Sequence, residues 1–188
     1  MHLKLPFRWK FARDDRAVAA VEFALILPLL VTLYFGTVEA ASLYSVDRRV
    51  ATVASTMADL VSREKDQISK SDTLAKYFQA ATAILRPYST ANLKQVVTML
   101  SVSSSGVTKV IWSVANGTGA TARVANDPYP LAATTQINQI ARTKGYLVVS
   151  EISYSYKPVF GLVISKPISL RHTEYYLPRY ENKIDLKP

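Results

Sequence analysis

Glu22 is the one charged side chain between residues 17 and 38, and it stands near the start of the apolar run AAVEFALILPLL (19–30), which also contains Pro28. An ionised carboxylate at the centre of a bilayer costs about 3 kcal/mol or more, and less toward the interface. Two chemistries follow for such a group. Glu22 lies six residues past Arg16, about 9 Å along a helix, so its carboxylate can reach back to the aqueous face or take up a proton. Alternatively it meets a positive partner inside the membrane, such as the free α-amino group of a neighbouring subunit, and each charge offsets the burial of the other.

Other reactive residue types do not converge. The two histidines are His2, near the N-terminus, and His172, which has Glu174 two residues on in a strand-like stretch. That pair is at most half a site, because a metal or catalytic centre needs more convergent groups; a structural role is expected for it. No Gly-rich phosphate loop, nucleophile elbow or HExxH is present. The chain has no cysteine, which removes disulfides, thiolate metal sites and cysteine nucleophiles. Asn116-Gly117-Thr118 fits the glycosylation triplet but so do many unmodified triplets. The eleven tyrosines suit sheet and core positions better than a ligand-stacking surface. The expectation is therefore a protein that is not an enzyme and holds no cofactor or metal.

Charge narrows the partners. Of the net charge of +9, the segment 1–16 holds five cations (Lys4, Arg8, Lys10, Arg13, Arg16) against Asp14 and Asp15, a net +3. The rest is spread thinly, without a cluster shaped for phosphates, so nucleic acid is not expected. Residues 17–38 have the length of a membrane-spanning helix, since about 20 residues cross a hydrocarbon core of ~30 Å. Basic charge before the span points the N-terminus to the cytoplasm and the rest of the chain outward. A cleavable secretory signal cut near Val38-Glu39-Ala40 is the competing reading. It fits less well, because the apolar run is long and an acidic residue stands beside the cut.

The elements that would carry these residues follow from periodicity. Leu43, Val46, Val50, Val53, Met57 and Leu60 recur at steps of three and four, one face of a helix. Residues 37–65 contain no Gly or Pro, so span and amphipathic segment read as one helix over about residues 17–65, roughly 70 Å long. Too few heptads are present to favour a coiled coil. Ser71 is expected to cap a second helix with Leu74, Phe78, Ala81 and Leu85 on one face, ending near Arg86 before Pro87. Residues 93–102 and 107–115 alternate as an antiparallel hairpin. Residues 116–130 read as a loop, and residues 131–142 as a short helix that carries Ile137 and Ile140 inward, with Gly145 past its end. Tyr146, Val148, Ile152, Tyr154 and Tyr156 share a strand face, and residues 168–177 give a last strand.

Two stretches carry a family resemblance. RDDRAVAAVEFALILPLLVTLYFGTVEAASLY (13–44) and VVSEISYSYKPVFGLVISKPISLRHTEYYLPRY (148–180) resemble the start and the end of the TadE-like proteins of the tight-adherence (Flp) pilus machinery, over about a third of the chain. The resemblance implies a type IV pilin-like leader that a prepilin peptidase removes before the apolar run, at a Gly followed by four residues and Glu-Phe or Glu-Tyr. Ala17 stands at that Gly position, Val18 would be the first mature residue, and Glu22-Phe23 completes the motif. Pro28 would bend the helix by removing the bond to the Ala24 carbonyl; a tolerated membrane proline without a special role is the other reading.

The expected architecture is α+β and pilin-like: a basic cytoplasmic leader (1–16), a transmembrane segment (17–38) and a periplasmic domain (39–188) in which the amphipathic half of the long helix lies on an antiparallel sheet. The expected role is a minor, pseudopilin-like assembly subunit in the inner membrane, with other pilus subunits, the prepilin peptidase and membrane lipid as partners. A membrane-tethered extracytoplasmic binding domain unrelated to pili is the alternative.

Overall fold

The computed structural model describes residues 15–131, 135–161, 164–180 and 182–188. All but the last two residues of the basic leader, His2 included, lie outside them. Helix α1 runs Asp15–Ser62 without a break and contains Pro28. Strand β1 (Gln67–Ser69) leads through a π-helical turn, Lys70–Leu74, into α2 (Ala75–Ile84). Strands β2 (Leu93–Val102) and β3 (Thr108–Asn116) form the hairpin, followed by α3 (Gln136–Lys144), β4 (Tyr146–Tyr156), β5 (Ile168–Tyr176) and β6 (Asp185–Lys187).

Contacts divide the chain into two units. The first joins α1 as far as Ser42 to the connection Pro158–Lys166, and the second contains Leu43–Lys157 and Pro167–Pro188. In the second, four antiparallel strands take the order β3-β2-β4-β5, and β1 pairs in parallel with β6. One sheet face is covered by helices: Val46, Val50, Val53, Ala54, Met57 and Val61 of α1 meet Leu74, Phe78, Ala81 and Leu85, and both rows pack on Val97, Met99, Val148 and Ile152. Fully burying an aliphatic side chain of this size stabilises by about 1.5–3 kcal/mol, so this layer dominates the stability of the unit. A smaller cluster on the opposite face joins Leu100, Val102, Val110, Leu147 and Val149 to Ala141 of α3.

The two clusters alternate along β2 and β4 as a two-residue period requires. In β3 the register shifts opposite Met99 and Leu100, and Val110 and Trp112, two residues apart, fall in different clusters. An extra residue in one strand produces that reversal. Polar contacts fasten the layer further. Arg49 donates to the Ile84 carbonyl at 3.0 Å, a cation on the orphan carbonyls at the end of α2. His172 Nε2 lies 2.7 Å from Asp47 Oδ1, so its partner is a helix carboxylate and not Glu174.

Four details correct the sequence reading. Ser69 caps the second helical segment, accepting from the Asp72 amide at 3.3 Å, because the first turn is wound as a π-turn that starts earlier than Ser71. At the end of α1 the buried position is Val61, with Leu60 only half-buried, because a 3.6-residue turn carries the stripe past a strict three-four repeat. Ile140 points outward at 51% exposure; α3 buries Asn138 and Ala141, and the Asn138 amide donates to the Gly106 carbonyl at 3.1 Å. The short pair β1 and β6 has no sequence signal at all. Gly145, by contrast, ends α3 in the left-handed region (φ 77°), donating to the Ala141 carbonyl at 2.7 Å.

Candidate functional site

The apolar half of α1 is the first candidate. Among the described residues, α1 from Val18 onward is the one helix long and apolar enough to cross a membrane, and none of its most apolar stretch is buried. An α-helix satisfies its own backbone, so a segment apolar all round has no need of a covering domain, only of an apolar solvent or another helix. Ala17 and Val18 lie in the first turn of α1. Val18, Glu22 and Phe23 are all exposed, and Glu22 has no hydrogen-bond or ion-pair partner among the described residues. Pro28 sits within the helix, and the Thr32 hydroxyl donates to its carbonyl at 2.8 Å, a local bond of the kind that bends helices.

A second carboxylate lies at the far end of this half, and the sequence reading gave it no role. Glu39, only 1% exposed, accepts the Gly161 amide on one oxygen and the Ile164 amide at 3.3 Å on the other. Backbone donors of this kind stabilise a carboxylate withdrawn from water. Beside it the ring of Phe160 lies 4.8 Å from that of Phe35. The position that could have flanked a signal cleavage therefore lies inside a continuous helix and is tied to the connection between β4 and β5. The only hint in the sequence was an acidic residue placed where an apolar segment ends.

The second candidate is a cleft of about 630 Å³ on the sheet face opposite α1. Strand register puts Lys94 beside Ser153 and Ser153 beside Arg171, a cation-hydroxyl-cation row across three strands. Neither cation has a carboxylate partner among the described residues. One wall is the loop carrying Arg123, whose guanidinium grips Glu151 with two bonds of 2.8 and 2.6 Å and stacks 4.5 Å over Tyr129. The carboxylate holds Arg123 charged, raising its pKa further, while burial pushes the Tyr129 hydroxyl up. Gly117 opens this loop at φ 103°, where a Cβ would stand 2.1 Å from the Leu93 carbonyl. Among the described residues no group of three or more His, Cys, Asp or Glu is placed to hold a metal.

Comparison with known proteins bears on the first candidate. The family model described as TadE-like protein matches residues 17–59, the apolar half of α1 together with most of its buried half. No curated protein and no solved structure matches the chain.

Proposed function

We propose that this chain is a minor, pseudopilin-like assembly subunit of a tight-adherence pilus, anchored in the inner membrane by residues 17–38 with its leader in the cytoplasm and residues 39–188 in the periplasm. One observation carries the reading: the TadE-like match falls on a helix whose most apolar stretch is unburied, and Glu22 within it has no partner among the described residues. Such a subunit works by packing and not by turnover.

In this reading a prepilin peptidase cuts after Ala17, which leaves Val18 with a free amine and makes Glu22 the fifth residue of the mature chain. Amine and carboxylate are then about 6 Å apart along the axis, one helical turn. Stagger neighbouring subunits by about a turn, and the amine of one reaches Glu22 of the next. Both groups are costly alone in lipid and satisfy each other in the assembly. A bend at Pro28 would help neighbouring helices pack closely.

The intact mass of the protein from its own membrane reports the cut directly. Co-purification with other pilus subunits, measured with surface adherence, reports the carboxylate. Glu22→Ala is expected to insert and fold normally but to lose association and piliation, and Glu22→Asp to be partly tolerated. Unchanged association in Glu22→Ala would return Glu22 to a carboxylate that only reaches the interface.

The basic cleft favours a second reading, a tethered domain that binds an anionic group between Lys94 and Arg171. Binding of an anion that is lost in Lys94→Ala and Arg171→Ala, by a chain with no pilus partners, would support it over the first.

A further inference from the structure

The described part of the β4–β5 connection is held in an unusual way for a loop. Its backbone amides at Gly161 and Ile164 both end on Glu39, and Gly161 takes a left-handed φ of 67°, which a glycine adopts at no steric cost. A carboxylate is poorly placed out of water unless donors meet it, so the arrangement fixes the loop to α1 at this level. The same arrangement leaves two large apolar side chains at the tip open, Val159 at 73% and Phe160 at 47% exposure. Exposed lysines stand on either side in sequence, Lys157 and Lys166.

The depth of this tip follows from the helix it is tied to. Phe35, against which Phe160 packs, is 18 residues past Ala17, about 27 Å along the axis, within a hydrocarbon core of ~30 Å. Glu39 comes about 33 Å along, just beyond it. Tyr34, exposed and edge-on to Phe35, adds a third aromatic at the depth where such rings gather at membrane interfaces.

We propose that Val159 and Phe160 dip into the outer face of the bilayer beside Phe35 and form a second membrane contact, positioned by Glu39, with Lys157 and Lys166 facing lipid phosphates. This rests on the reading of residues 17–38 as a membrane span. Lipid is the occupant because the tip is continuous with that span and apolar side chains flanked by lysines match an interface of acyl chains and anionic headgroups.

The chain has no cysteine, so single labels can be placed on the full-length protein. An environment-sensitive fluorophore is attached to Leu27→Cys, Val159→Cys, Phe160→Cys and Tyr180→Cys, each reconstituted in phosphatidylethanolamine–phosphatidylglycerol vesicles that carry a nitroxide near the end of the acyl chain to read 27 and, in a second preparation, near its top to read 159, 160 and 180. The label at 27 reports the span, those at 159 and 160 report the tip, and 180 is the aqueous control. Most of the fluorescence at 159 and 160 is expected to be lost, with little change at 180. Label 159 also guards against loosening by loss of the Phe160 ring. Quenching at 27 without quenching at 159 or 160 would overturn this inference and leave the span standing, whereas no quenching at 27 would remove both. Shielding of 159 and 160 that arises only at high protein density, without lipid quenching, would assign the tip to a neighbouring subunit and overturn the proposal. Glu39→Ala is expected to weaken quenching at 159 and leave 27 unchanged; full quenching at 159 in that variant would overturn the positioning role of Glu39.

Discussion

The two halves of α1 differ in how much of their surface is apolar, and they meet different fates. Residues 18–34 present apolar side chains on every face and are exposed throughout. Beyond Leu43 the apolar residues narrow to a stripe ending at Val61, with Asp47, Arg48, Arg49 and Asp59 off it, and the stripe is buried on α2 and the sheet. Both the share and the angular distribution of apolar side chains differ, and together they decide what must cover the helix. A striped helix needs its own sheet; one that is apolar all round needs lipid or other helices. The two carboxylates repeat the contrast: Glu39 is satisfied within the chain by backbone amides, whereas Glu22 has no partner among the described residues.

The largest expected effect separates the halves by stability. Met57→Ala, at a fully buried position, should destabilise the fold by about 2–5 kcal/mol, measured by denaturant unfolding of the full chain in mild detergent. Leu29→Ala, at an exposed position, should change that stability by less than about 0.5 kcal/mol. Equal effects would break the comparison.

A smaller effect concerns the latch on the end of the buried half. The Arg179 amide donates to the Ser62 carbonyl at 2.9 Å and its guanidinium reaches Asp59 at 3.1 Å. Arg179→Ala should cost about 1 kcal/mol or less, because the ion pair is partly exposed. Arg63 also bonds Asp59, and this bond, then the Arg179 contact, holds the Asp59 carboxyl below its usual range. A carboxyl depressed in the folded state stabilises fully above its unfolded value, near 4, and loses that contribution as pH falls through the folded value. The stability gap between wild type and Asp59→Asn should therefore shrink as pH drops below about 4, followed by unfolding across acid pH.

The smallest effect is on the alkaline side. Burial, with the hydrogen bond to Glu64, pushes the Tyr77 hydroxyl up to about 12. A phenol raised in the folded state stabilises fully below its unfolded value, near 10, and loses that contribution as pH rises toward the folded one. Tyr77→Phe should flatten the decline of stability between about pH 10 and 12. A decline that persists unchanged would place the titrating group elsewhere.

Much of this was legible in the sequence because it is local and periodic. The stripe in α1, the alternation in β2 to β5 and the glycine after α3 each need only neighbouring residues to be read. What was missed depends on distant partners. Strands β1 and β6 pair Gln67 with Asp185 over three residues each, too short to show a period. Ile140 was expected inside because its spacing from Ile137 fits an apolar face, but the Asn138 amide finds the Gly106 carbonyl, and Asn138 and Ala141 take the buried positions, so that Ile137 packs on the core while Ile140 stays exposed. Glu39 has its role only because a loop more than a hundred residues on returns to it, and nothing beside it in the sequence announces that. Glu22 was singled out for the opposite reason, since its oddity lies within its own run.

The central claim is that the first half of α1 is buried by the membrane and the second by its own sheet. A cysteine scan of residues 18–62 in native membranes, probed with a membrane-impermeant maleimide, tests this most directly. The account predicts no labelling on any face over about residues 20–36, then labelling with the 3.6-residue period of a helix from about residue 43 onward. A 3.6-residue labelling period continuing unbroken through residues 20–36 would mean that water reaches one face there, and would contradict it.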